Sequence, residues 1–106
     1  MANERLQKLL EMLEKQPDDT FLLYAIAMEH LSVNDKNQAE ELFKKVLHLE
    51  HDNVPTHYQL GIILQETNRN KEAIEMFEEG MKLAKFKGDL KTVNEFRTAL
   101  DELIFE

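Results

Sequence analysis

The chain has 106 residues, the size of one small domain, with 13 Lys plus Arg against 21 Asp plus Glu and a net charge of -8. That balance argues against a nucleic-acid binder, whose affinity comes from basic side chains neutralising phosphates. No cysteine is present, which removes disulfides, thiolate metal sites and cysteine nucleophiles, and 3 Gly with 2 Pro are too few for a turn-rich all-β fold.

An apolar share of 42% is enough for a core and points to an all-α, acidic domain. The N-terminus runs directly into a charged amphipathic pattern without the apolar run of a leader. No stretch approaches the length of uninterrupted apolar sequence that spans a bilayer. A cytoplasmic location with no membrane partner is therefore expected.

The first helix is predicted over residues 3–16, with Leu6, Leu9, Leu10 and Leu13 on one face, widened by Met12. Pro17 ends it, because the residue before proline is pushed out of helical angles. Asp18 or Asp19 then caps a second helix, 19–31, in which Phe21, Leu22, Leu23, Tyr24, Ile26, Ala27, Met28 and Leu31 lie nearly all round. Such a helix is covered on several sides or presents apolar surface to a partner. After a break at 32–35, a third helix covers 36–50, where Asn37 and Glu40 have capping-box spacing. Residues 51–53 form the next break, and Pro55 suits the first turn of a fourth helix, 54–67. A fifth covers 71–86 and stops at Gly88, after which Asp89 caps a sixth. That last helix carries Leu90, Val93, Phe96, Leu100, Leu103 and Ile104 on one face. The breaks are short, so sequential helices are expected to pair antiparallel as hairpins.

A shift of 34 residues superposes the chain on itself. Tyr24 falls on Tyr58, Asn34 on Asn68, Ala39 on Ala73, Glu41 on Glu75, Phe43 on Phe77 and Leu49 on Leu83. The helix breaks and apolar positions coincide too: Ile26 with Leu60, Leu42 with Met76, Leu47 with Met81, and the small residue Ala27 with Gly61. A period of this size signals a repeat architecture, in which no single hairpin buries its own apolar face.

The second copy reads His57-x-x-Leu60-Gly61-x-x-Leu64 followed by Ala73-x-x-x-Phe77; the first reads Leu23-x-x-Ile26-Ala27-x-x-His30 followed by Ala39-x-x-x-Phe43. The chain thereby resembles the tetratricopeptide repeat (TPR) family. That family's pattern is Trp-x-x-Leu-Gly-x-x-Tyr on one helix, Ala-x-x-x-Phe on the next, then Pro; here its Trp and Tyr are replaced, and His51 and Lys85 stand where the closing proline would be. The resemblance implies antiparallel helical hairpins stacked as a short α-solenoid with a C-terminal capping helix. A single domain over 1–106 then comprises a half-repeat helix at 3–19, repeats at 20–53 and 54–87, and a cap at 88–106. Ala27, Ala39, Gly61 and Ala73 would let helices approach closely, while Phe43 and Phe77 would fill the space between successive hairpins.

Candidate chemistry is sparse. His48 and His51 stand three apart at a helix end with Asp52 adjacent, but no further partner follows at a telling spacing, so no metal site or other cofactor is expected. Ser32 is the single serine, and His30 is too near it in sequence to aim at its hydroxyl, so no catalytic pair is expected either. The glycines are dispersed and form no phosphate loop.

The resemblance assigns the first helix of each hairpin to a concave, partner-binding groove. Neither corresponding helix, 19–31 or 54–67, contains Lys or Arg. The groove positions are Phe21, Tyr24, Met28 and Leu31, then Tyr58, Ile62 and Gln65, with Phe96 joining from the cap; Glu29 and Glu66 supply only negative charge. The expected function is non-catalytic binding of a protein or peptide through apolar contacts. The alternative is self-assembly into a homodimer through the same surface, or through the Val93, Phe96, Leu100 and Leu103 seam of the last helix.

Overall fold

The computed structural model describes residues 2–105. Six helices occupy them and no strand occurs among the described residues: α1 (Ala2–Lys15), α2 (Thr20–Ser32), α3 (Lys36–Leu49), α4 (Val54–Glu66), α5 (Asn70–Phe86) and α6 (Leu90–Ile104). The chain forms two compact units, Met1–His51 and Asp52–Glu106. In the first, α2 packs against α3 and against α1; in the second, α5 packs against α4 and α6. No helix is long and apolar enough to cross a membrane among the described residues.

Local chemistry sets the helix ends. Three turns share one design. The amide of Asp35 reaches back to the carbonyl of His30 at 2.8 Å, that of Arg69 to Leu64 at 2.8 Å, and that of Asp89 to Ala84 at 3.0 Å. This five-residue return closes a helix only when the preceding residue is left-handed. Asn34 (φ 59°), Asn68 (φ 61°) and Gly88 (φ 75°) take that role. Asparagine tolerates the region and glycine occupies it without a Cβ penalty. The repeated Asn34 and Asn68 thus mark one turn made twice, and Gly88 makes it a third time between α5 and α6.

Side-chain caps start the helices. Asp19 accepts from the Leu22 amide at 3.0 Å, Asn53 from that of Thr56 at 3.1 Å, and Asp89 from that of Thr92 at 3.2 Å. The Thr92 hydroxyl also donates to Asp89 at 2.7 Å; that bond, then the Thr92 amide, holds the exposed carboxyl below its usual value of 3.8. The cap of α3 corrects the sequence reading. It is Asp35, which accepts from the Gln38 amide at 3.3 Å, and not Asn37 with Glu40. The left-handed turn at Asn34 delivers the chain into the helix directly after Asp35, so Asn37 already lies in the first turn. Glu40 instead pairs with Lys44 at 2.8 Å along the helix.

Unit one buries Leu22, Leu23, Ile26, Ala27, Ala39, Phe43 and Val46. Among its described side chains, helix α1 contributes the half-buried Leu6, Leu9 and Leu13; Leu10 and Met12 are exposed. Unit two buries Leu60, Ile63, Leu64, Ala73, Phe77, Ala84, Val93, Phe96, Ala99 and Leu100. Gly61 has no space for a side chain: a Cβ there would lie 2.6 Å from Phe77 Cδ1. Gly80 is the same case, since its Cβ would meet the Phe96 ring and lie 2.9 Å from His57 Cβ. Glycine inside a helix costs about 1 kcal/mol relative to alanine, so both positions trade helix propensity for close approach.

Candidate protein-interaction surface

The six small and aromatic residues expected at the hairpin contacts, Ala27, Ala39, Phe43, Gly61, Ala73 and Phe77, are all buried. In unit one, the Tyr24 ring meets Phe43 edge-on with centroids 5.4 Å apart. In unit two, Tyr58 stands 5.9 Å from Phe77 and 5.6 Å from Phe96, and these two phenylalanines are 6.1 Å apart. Both tyrosines are consequently half-buried. Half-burial against core phenylalanines suits an amphipathic ring.

Phe96 corrects the expectation that it joins the groove. It is fully buried, seated over Gly80 and against Tyr58 and Phe77. The missing side chain at Gly80 makes the room, which nothing in the local spacing of α6 reveals. The seam expected for self-pairing meets the same fate: Val93, Phe96 and Leu100 are buried and Leu103 is half-buried, so α6 spends this stripe within its own unit. The outward side of α6 carries Lys91, Asn94, Glu95, Thr98, Asp101 and Glu102, a solvated face.

The α2 positions divide by depth. Phe21 is 76% exposed, Met28 is exposed at its margin, and Tyr24 and Leu31 are half-buried. On α4, Tyr58, Ile62 and Gln65 are all half-buried. The exposed Phe21 lies in an acidic setting. Asp18 and Asp19 precede it, and the Thr20 hydroxyl donates to Glu50 at 2.8 Å, holding a third carboxylate one residue away. Lys45 balances part of this, 3.9 Å from Asp18 and donating to the Pro17 carbonyl at 3.3 Å. The sequence reading placed no positive charge beside Glu29. The structure brings one from another helix: Arg5 of α1 pairs with Glu29 at 3.0 Å.

The remaining polar candidates are held by the fold. His57, at the family's Trp position, is buried, with Nδ1 2.9 Å from the Asn53 carbonyl, to which it donates. Ser32 donates to the Glu29 carbonyl at 2.6 Å, and His30 lies 3.7 Å from Asp35. His48 and His51 are both exposed, and no group of three or more potential ligands converges among the described residues.

Two consecutive segments, 22–53 and 54–87, match the tetratricopeptide repeat model, together more than half of the chain. The chain belongs to the tetratricopeptide repeat family. No curated protein matches it. Among solved structures, a TPR domain protein from Salinibacter ruber, determined by solution NMR, is 31% identical with a TM-score of 0.77, over 83% of this chain and 89% of that one. A protein from Bordetella parapertussis shares the fold with a TM-score of 0.81 at 21% identity, over 92% of this chain and 85% of that one. The MamA protein shares it with a TM-score of 0.74 at 16% identity, over 97% of this chain and 58% of that one. TPR domains are in general protein-interaction modules, and the TPR chain described here has their all-α hairpin architecture.

Proposed function

We propose that this TPR protein is a non-catalytic, cytoplasmic adaptor that binds an apolar segment of a partner protein on the first helices of its repeats. The observation that carries this reading is Phe21: a large aromatic side chain, 76% exposed, on a helix without Lys or Arg and beside the carboxylates of Asp18, Asp19 and Glu50. A solitary exposed apolar residue needs no explanation, but α2 continues the strip with the exposed Met28 and the half-buried Tyr24. Methionine adapts its shape to different side chains, and aromatic anchors carry most of the energy in interfaces. On α4 the corresponding positions are Tyr58, Ile62 and Gln65. The acidic surround favours a partner whose apolar anchors are flanked by Lys or Arg, through faster encounter at low salt.

Phe21→Ser is the direct test, because this side chain contributes little to the core. Titration with peptides that carry aromatic or Leu anchors between lysines is expected to shift the amide signals of α2 in the parent. The variant is expected to keep parental helicity and to bind at least about tenfold more weakly. Equal affinity in the two proteins removes α2 from the binding surface. Tyr24 and Tyr58 are poorer probes, since their contacts with Phe43, Phe77 and Phe96 also hold the core.

A second expectation follows from the charge. Recognition of a terminal carboxylate uses charge-assisted bonds from Lys or Arg, which α2 and α4 lack. An acidic C-terminal peptide is therefore expected to leave the amide signals of residues 21–31 unmoved at micromolar concentration. Saturable shifts there would show that Arg5 or another cation serves as the clamp.

A further inference from the structure

The turn between α5 and α6 differs in charge from the rest of the molecule. Residues 82–91 contain Lys82, Lys85, Lys87 and Lys91 against the single Asp89, a net of +3 in a chain of -8. All four lysines are exposed. Among the described residues no carboxylate lies within ion-pair distance of Lys82 or Lys85. Among these lysines stand two exposed apolar residues: Phe86 is 90% exposed and Leu90 is 74% exposed, on either side of the left-handed Gly88. The tip thus presents an aromatic and an aliphatic anchor flanked by lysines. That is the chemistry the acidic Phe21 surface of α2 favours in a partner.

We propose that the protein associates head to tail with a second copy of itself, the Phe86–Leu90 tip of one molecule seating on the Phe21 surface of α2 in the next. The inference rests on the reading of α2 given above and names an occupant for it. Charge decides the pairing mode. A two-fold contact of the tip with itself sets lysines against lysines, and one of the α2 surface with itself sets Asp18, Asp19 and Glu50 against their copies; both are repulsive. Tip against α2 is attractive. A contact between two different patches leaves one tip and one α2 surface free at the ends, so assembly adds copies and does not stop at a dimer unless the rotation closes a ring. Three apolar anchors fall well below the area of a standard stable interface, so the association is weak, concentration-dependent and sensitive to salt.

Sedimentation velocity of the full chain tests this. At low salt the weight-average mass is expected to rise at least about twofold between about 5 µM and about 500 µM protein, and to return to the monomer value in about 0.5 M NaCl. Two variants change exposed side chains alone: Phe21→Ser, and the tip variant Lys85→Glu with Phe86→Ser. Each by itself is expected to be monomeric with parental helicity. Mixed in equal amounts they retain one intact tip and one intact α2 surface between them, and are expected to form a 1:1 dimer that does not grow. A second tip variant, Lys82→Glu with Lys91→Glu, keeps both apolar anchors and is expected to weaken assembly by charge alone. A monomeric parent at 500 µM overturns the proposal, as do variants that still assemble or a mixture that fails to pair. A monomeric parent that still binds lysine-flanked peptides through Phe21 overturns the homotypic contact and leaves the peptide-binding reading of α2 in place.

Discussion

Gly61→Leu is expected to destabilise the protein by about 3 kcal/mol or more, the upper end of overpacking in a close-packed core. The first added carbon already lies 2.6 Å from Phe77 Cδ1 and 2.8 Å from Cζ. The Phe77 ring is fully buried and has Tyr58 and Phe96 as aromatic neighbours, so it has no free direction in which to retreat. Gly61→Ala is the more telling substitution because two effects compete. Alanine gains about 1 kcal/mol of helix propensity over glycine, whereas the clash costs about 1–3 kcal/mol. A net loss in urea melts at unchanged m-value means that packing wins. Trimming the opposing ring should return part of it: in a double-mutant cycle, Gly61→Ala with Phe77→Leu is expected to cost less than the sum of the two single changes. A Gly61→Ala protein more stable than the parent would show that the helices do not approach as closely as described.

Phe96→Ala is the other large effect, with an expected loss of about 3–5 kcal/mol. The ring is fully buried, lies over Gly80 and touches both Tyr58 and Phe77, so its removal opens a cavity among three fixed neighbours. For a chain of this size a loss of that order lowers Tm by well over about 10 °C. Phe105→Ala on the same segment is the control. That side chain is exposed and its removal should leave Tm within about 2 °C of the parent. If Phe96→Ala melts like Phe105→Ala, α6 is not docked through Phe96.

These two positions also separate what residue order alone settles from what the packed chain settles. Helices, breaks and repeats are local properties. Three- and four-residue apolar spacing, the caps at Asp19 and Asp89, Pro17 and Pro55 at helix boundaries, and the stop at Gly88 act within a few residues and are readable in order along the chain; the Asp35 cap and the left-handed angles of Asn34 and Asn68 are not. The pairing of Gly61 with Phe77 is legible for a related reason, because the 34-residue period sets it beside Ala27 with Phe43. An apolar stripe, by contrast, states that a helix has a covered face without naming the cover. Phe96 reads as surface until Gly80, on another helix, is found to leave a space for it. Tyr24 and Tyr58 read as groove positions, and only the packing shows that their rings also meet Phe43 and Phe77. The spacing of α2 shows only the negative charge of Glu29, and packing against α1 brings Arg5 to it. In each case the deciding partner is remote in sequence or on another helix. Burial and charge balance at a surface depend on distances between helices, which close packing sets and local periodicity does not carry.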